Sequence, residues 1–324
     1  MSRSSHADAQ VRAALAAGRA AGSPALGQLV PVLLKSARSG STWLGSILNE
    51  VSRRPFYLEL RGTPGELQLD FVRAGVGFST NPTGLNESQQ EDPRHAWETF
   101  GRAVVGRAAL IMLRRTNVVK HAISFLRVPQ AQSECGAVKS AGCTALQPVA
   151  IDTTVLQEVL QCVYLHDHRL QTLARHVTAA GVPGLTLAYE EFQADGQRTS
   201  AKVAGLLRVP PARSRRLFLV TSKGWPNDAP TKTGTDDLSK VLLNFEEVAL
   251  WLRNHSACLE RQLRTTSHET PVCANPWSSE QYWSRRDWSG APIRNPARCA
   301  DTMLGFSRRE HGHVSGAELE EQDY

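Results

Sequence analysis

The sequence predicts an α/β fold: a central, mostly parallel sheet flanked by helices on both faces. Two short apolar runs carry that prediction, Pro-Val-Leu-Leu-Lys at 31–35 and Ala-Ala-Leu-Ile-Met-Leu at 108–113, which read as strands buried on both faces. Each run leads through a polar junction into apolar residues at helical spacing. These lie at 43, 44, 47, 48 and 51 after the first run, and at 118, 119, 122, 123 and 126 after the second. Repeated strand, junction and helix builds a parallel sheet, and ligands of such sheets bind at the carboxyl ends of the strands. The junctions 35–43 and 113–118 are therefore expected to face one cleft.

The other elements follow in chain order. Residues 56–60 suit a second strand; 61–92, rich in Gly, Pro, Asn and Gln, read as a long loop; and 93–105 suit a helix. Residues 128–150 lack periodicity and read as a flexible insertion. Asp152 or Thr153 can cap a helix reaching about residue 180, whose stripe is Leu156, Leu160, Val163, Leu170, Leu173 and Val177. Gly181-Val182-Pro183-Gly184 ends it; a strand at 185–188 and helices near 198–207 and 238–264 complete the domain. The expected organisation is an N-terminal extension at 1–28, an α/β domain at 29–267 and a Trp-containing extension at 268–324.

Composition limits the function classes. With 324 residues, 41% apolar and 21% charged, the chain can bury a large core without a metal or disulfide. A net charge of +6 suits an anionic ligand, whereas no basic aromatic stripe points to nucleic acid. No apolar run approaches the ~20 residues of a membrane span. Residues 1–28 carry Arg3, Arg12 and Arg19 against Asp8; they suit a helical extension better than an organelle-targeting peptide, so a cytoplasmic chain is expected. Six cysteines show no zinc spacing, and free thiols are expected, with Cys162 packed in the long helix.

The first junction reads Lys35-Ser36-Ala37-Arg38-Ser39-Gly40-Ser41-Thr42-Trp43. Small residues opening a helix offer free backbone N–H groups and the positive end of its dipole, a site for an anion. Ser39, Ser41 and Thr42 add hydroxyl donors, and Arg38 adds a planar fork matched to phosphate oxygens. It is not an ATP-binding Walker A loop: Lys35 stands where the first Gly is needed and Ser41 where the Lys is needed.

Residues 35–43, continuing Leu44-Gly45-Ser46-Ile47-Leu48-Asn49, resemble the 5′-phosphosulfate loop of sulfotransferases that use 3′-phosphoadenosine 5′-phosphosulfate (PAPS). Arg-Ser-Gly-Ser-Thr is closer to the carbohydrate and Stf-zero-like branches than to the cytosolic aryl type, which has Lys at the position of Arg38. A second signature, an Arg after a strand and a Ser further on, is matched by Arg115 and Ser124, nine apart where the cytosolic type has eight. That difference leaves Arg114 as the alternative to Arg115 for the 3′-phosphate. Tyr189-Glu190-Glu191 echoes the family's Tyr-Glu-Asp/Glu, and Lys232-Thr233 its nucleotide-contacting basic segment. The resemblance covers about residues 30–265 and implies a single P-loop-like domain. Its cofactor-binding residues here are Arg38, Ser39, Gly40, Ser41, Thr42, Trp43, Arg115, Ser124, Tyr189 and Lys232.

Sulfuryl transfer needs in-line geometry, positive charge at the leaving phosphate and a base for the acceptor. Arg38 or Lys35 can supply the charge, with Arg38 favoured by the family pattern. The resemblance implies a Glu base soon after the first helix: Glu59, with Glu66 as second choice. His95, His121, His166 and His168 lack the histidine motif of the cytosolic type. His166 and His168 point ~200° apart on a helix and do not share a metal. No metal is expected. Trp277, Trp283 and Trp288 suit a tail pinned to the body more than a sugar platform, and the acceptor pocket is expected from 61–100 and 128–150. The rival functions are a P-loop small-molecule kinase and a non-catalytic nucleotide-binding protein of the same fold.

Overall fold

The computed structural model describes residues 3–21, 28–36, 41–52, 54–61, 65–81, 93–135, 146–209, 237–266 and 269–277. Five strands, β1 (Val30–Lys35), β2 (Phe56–Arg61), β3 (Gly77–Asn81), β4 (Ala108–Arg114) and β5 (Gly184–Ala188), form one sheet in the order β2-β3-β1-β4-β5. Every pairing is parallel, so the sheet expected to be mostly parallel is wholly so.

The helices are α1 (Arg3–Ala20), α2 (Ser41–Ser52), α3 (Glu66–Arg73), α4 (Pro93–Val104), α5 (Val118–Leu126), α6 (Val128–Cys135), α7 (Thr153–Ala179), α8 (Tyr189–Ala194), α9 (Gly196–Leu206), α10 (Phe245–His255) and α11 (Ala257–Arg264). Strand alternation divides the core between the two faces of the sheet. Val30, Val32 and Leu34 of β1 and Ala108, Leu110 and Met112 of β4 pack with Phe71 of α3, Trp97 and Phe100 of α4, and Leu170, Leu173 and Val177 of α7. On the opposite face, Leu33, Ala109, Ile111 and Leu113 meet Leu44, Ile47 and Leu48 of α2 and Val203 and Leu207 after β5.

A third core lies among helices alone. Val119, Ala122 and Ile123 of α5 pack with Leu156, Val159 and Leu160 of α7, Val248 and Leu252 of α10, and Leu259 and Leu263 of α11. The C-terminal half of α7 thus packs on the sheet while its N-terminal half packs on this helical lobe. Asp152 caps α7, its carboxylate accepting from the Thr154 amide at 2.7 Å.

Four expectations are corrected. Residues 66–81 are not loop but supply α3 and β3, and β3 lies inside the sheet between β2 and β1. Gly77-Phe78-Ser79-Thr80-Asn81 carries a single large apolar side chain, too weak a pattern to read as a strand. The insertion 128–150 holds α6, and Val149 bridges to Leu242. The helix expected over 238–264 is a short 3-10 turn, Leu238–Lys240, followed by α10 and α11, which break at Ser256 in extended conformation. Free thiols give way to disulfides: Cys258 bonds Cys273, and Cys162 is also disulfide-bonded. No described helix is long and apolar enough to cross a membrane.

Trp277 belongs to the segment that the disulfide holds: it packs against the helical lobe and stacks on Trp251 with centroids 6.2 Å apart. Trp283 and Trp288 lie outside the described residues.

Gly77 is the tightest point of the strand the sequence hid. A Cβ there would stand 2.7 Å from the Phe56 ring, 2.8 Å from the Pro31 ring and 3.1 Å from the Pro31 carbonyl oxygen. The proline ring cannot swing away, so Gly77→Ala is expected to cost about 1–3 kcal/mol. A urea midpoint equal to wild type would show that β1 and β2 can part at this point.

Candidate functional site

The carboxyl ends of β1, β4 and β5 lie side by side, with Lys35 opposite Leu113 and Arg114 opposite Ala188. From β1 the chain leaves towards β2 at one edge of the sheet; from β4 it leaves towards β5 at the other. The crevice between β1 and β4 is therefore the topological switch point, where open parallel sheets bind ligands. The two junctions singled out by sequence flank it.

Strand alternation separates the two arginines at the end of β4. Arg114 falls on the face of Leu110 and Met112, towards α7, where its Nε donates to Asp167 Oδ1 at 2.9 Å and its Nη2 to Oδ2. Gln171 Nε2 also donates to that carboxylate at 2.7 Å. Arg114 is thus committed to a bidentate ion pair. Arg115 turns to the other side, with its guanidinium carbon 4.9 Å from the centre of the Tyr189 ring. Its Nε lies 3.8 Å from Glu190 Oε1 and is buried without a hydrogen-bond partner. Of the pair, Arg115 is the one with donor capacity left for an incoming anion.

The turn between β4 and α5 is closed by groups distant in sequence. Glu190 Oε2 accepts from the Thr116 amide and hydroxyl, each at 2.9 Å, and Oε1 accepts from the Asn117 amide at 3.2 Å. Asn117 caps α5 by accepting from the Lys120 amide at 2.8 Å, and the Val119 amide donates to Gln262 Oε1 at 3.3 Å. The amides of 116, 117, 119 and 120 are therefore all engaged within the protein. The second junction is no cradle of free N–H groups like the one expected at the first; side-chain cations are what it offers an anion.

The polar face of α5 continues the site. Asn117, Lys120, His121 and Ser124 share one side at helical spacing, opposite Val119, Ala122 and Ile123 in the lobe core. Lys120 and His121 are buried, as are Lys35 and Ser36 at the end of β1. His121 stacks on Phe125 and places Nε2 3.5 Å from Ser36 Oγ, at the outer limit of a hydrogen bond. Helix α5 thus leans over the end of β1, and the two junctions meet.

The remaining sequence candidates are distributed as follows. Arg38, Ser39, Gly40 and Lys232 lie outside the described residues. Residues 41–43 open α2, with side chains of Ser41, Thr42 and Trp43 outside the described set. Glu59 lies in β2, two strand positions from β1, and its side chain is likewise outside that set. Its backbone falls within an irregularity: Tyr57 pairs with Phe78 but Leu60 with Thr80, so β2 carries one extra residue there. Bulges of this kind re-aim side chains beside active sites. Glu66 is an exposed first-turn residue of α3, paired with Arg73 at 3.2 Å. His95 and His168 are exposed, and His166 is buried on the other side of α7.

Sequence reasoning gave no role to Gln262 or Asp167, and it saw Glu190 only as part of a motif. Their partners at the end of β4 and in the turn after it stand 53 to 146 residues away, and local pattern carries no signal for such pairs.

Two predictions follow from these contacts. Glu190→Ala leaves the half-buried Arg115 without its counter-charge and two amides without acceptors; a loss of about 3–5 kcal/mol is expected in chemical denaturation, and a loss below about 1 kcal/mol would remove Glu190 from its place as clasp. The second concerns His166, whose Nδ1 is buried without a partner. Burial, then Arg169 and His121, push its pKa down to about 3. The unfolded chain binds this proton near pH 6.5, so the folded state loses stability as pH falls from about 6.5 towards 3 and keeps the full contribution above 6.5. His166→Leu should flatten the urea midpoint across pH 7 to 4.5, and an unchanged slope would refute the assignment.

No protein-family model matches this chain, and no curated protein matches it significantly.

Proposed function

We propose that this chain is a PAPS-dependent sulfotransferase, moving a sulfuryl group to a hydroxyl or amine of a carbohydrate or small-molecule acceptor. The observation that carries the reading is the meeting of two cationic junctions at the switch point between β1 and β4, with Arg115 holding a buried, unpartnered donor there. PAPS has two anionic ends separated by adenosine, and it requires two such sites on one sheet edge. The resemblance of residues 35–49 and of the Arg115–Ser124 pair to sulfotransferase motifs gives these sites their chemistry.

In this reading Arg115 and Ser124 take the 3′-phosphate, with Tyr189 beside them, while the loop from Lys35 to Trp43 takes the 5′-phosphosulfate and Lys232 the nucleotide. The acceptor oxygen or nitrogen attacks sulfur in line as the bond from sulfur to the bridging oxygen breaks. Arg38, with Lys35, stabilises the charge growing on the departing 5′-phosphate. Glu59 takes the acceptor proton, and the β2 bulge is what brings its backbone out of regular register. Glu66, exposed and paired with Arg73, is poorly suited to that role.

The disulfides bear on the compartment. Such bonds persist in oxidising compartments and are rare in the reducing cytoplasm. We therefore favour an oxidising compartment over the cytoplasm that the sequence suggested.

Isothermal titration with adenosine 3′,5′-bisphosphate, without Mg²⁺, tests the reading; binding is expected. Binding of ATP with Mg²⁺ instead would favour a kinase, and nucleotide binding with no turnover over a broad acceptor panel would leave a non-catalytic protein. Arg115→Ala should weaken bisphosphate binding by about 1.5–3 kcal/mol, whereas Arg114→Ala acts mainly on stability through Asp167. Glu59→Gln should cut kcat by about 100-fold with nucleotide affinity nearly unchanged. Full turnover in that variant would place the base elsewhere.

A further inference from the structure

We infer that Gln262, carried on a strap closed by the Cys258–Cys273 disulfide, is a positioning residue that sets the grip of Arg115 on the 3′-phosphate. The inference rests on the sulfotransferase reading above. Gln262 is fully buried, and both ends of its amide are used. Nε2 donates to the Thr116 carbonyl at 2.9 Å and to the Pro271 carbonyl at 2.7 Å, and Oε1 accepts from the Val119 amide. Its own carbonyl accepts from Asn117 Nδ2 at 2.9 Å. One residue of α11 therefore holds three consecutive parts of the turn that follows Arg115: Thr116, the cap Asn117 and the first turn of α5.

The strap fixes Gln262 from both sides. Cys258 lies one helical turn before it on α11 and bonds Cys273, two residues beyond Pro271, with Cα atoms 5.7 Å apart. Between them Thr270 meets Thr116, hydroxyl to hydroxyl at 3.1 Å. Segment 270–273 and α11 thus form a closed clamp around the turn. Glu190 grips the same turn from the start of α8, through the amides of 116 and 117 and the Thr116 hydroxyl. Without Gln262, Glu190 still keeps the chain folded at this point, but the Thr116 carbonyl and the Val119 amide are released. Arg115 is then free to sample positions away from the cleft. The cost falls on the ligand group that Arg115 contacts, not on the rest of the nucleotide.

Adenosine 3′,5′-bisphosphate and adenosine 5′-monophosphate differ only in the 3′-phosphate, so the ratio of their affinities isolates its contribution. Isothermal titration of both against wild type and Gln262→Ala should show that ratio falling about tenfold, with the monophosphate Kd within about twofold of wild type. The double variant C258A/C273A, which opens the strap but keeps Gln262, should lower the ratio in the same direction and supplies the test if Gln262→Ala does not fold. A ratio unchanged in a folded variant overturns the inference while leaving the sulfotransferase reading intact. Equal loss of affinity for both nucleotides overturns it too, since that reports general damage. A wild-type chain that binds neither nucleotide overturns the sulfotransferase reading, and the inference with it.

Discussion

The site depends on one buried carboxylate. Glu190 sits where β5 gives way to α8, yet its hydrogen bonds go to the turn after β4. A buried carboxylate is costly unless its lone pairs are used and its charge is answered. Glu190 meets both conditions with the amides of Thr116 and Asn117, the Thr116 hydroxyl and the nearby Arg115. That arrangement fixes where α5 begins, and so where Lys120, His121 and Ser124 stand. It also ties β4 to β5 beyond the last ladder pair, Arg114 with Ala188.

The same closure limits what this turn could offer an anion. Helix N-termini attract anions through free amides and the dipole, but the first amides of α5 are engaged by Glu190, Asn117 and Gln262. What is left is side-chain charge. Among the described residues around this sheet edge, Arg114 pairs with Asp167 and Arg115 lies near Glu190, while Lys35 and Lys120 are buried close by in sequence. Walls of low dielectric strengthen the field of such charges.

Much of the frame was legible because it depends on local pattern. Strands β1 and β4 are central and buried on both faces, so they appear as unbroken apolar runs. The stripe on α7 is legible because a 27-residue helix repeats it many times. Strand β3 was not legible: Ser79 and Thr80 are buried there with hydroxyls unpartnered, a placement that no polarity pattern predicts. The same limit applied to the site. Arg115 and Ser124 share one local segment and could be paired by spacing, but the sequence could not choose between Arg114 and Arg115. That choice depends on which face of β4 each side chain takes, and on Asp167, 53 residues further on. The cysteines posed the same problem, since pairing follows from distance and not from count.

The contrast between Arg114 and Arg115 shows how one strand end can commit one arginine to structure and leave the donor of another unused. A single arginine at the end of β4 would have to serve both structure and ligand. Two in succession, on opposite faces because a strand alternates, separate the tasks. Arg114 anchors α7 to the sheet through Asp167, itself braced by Gln171. Arg115 is left over Tyr189, whose ring steadies the guanidinium without consuming its N–H donors, while Glu190 at 3.8 Å offsets its charge. An arginine held in this way is oriented before any anion arrives, so less side-chain freedom is lost on binding. Moving the register of β4 by one residue would exchange the two roles, setting Arg115 against α7 and leaving the cleft without its oriented cation. The ladder of β4 with β1 and β5 is therefore as much a part of the site as the residues that line it.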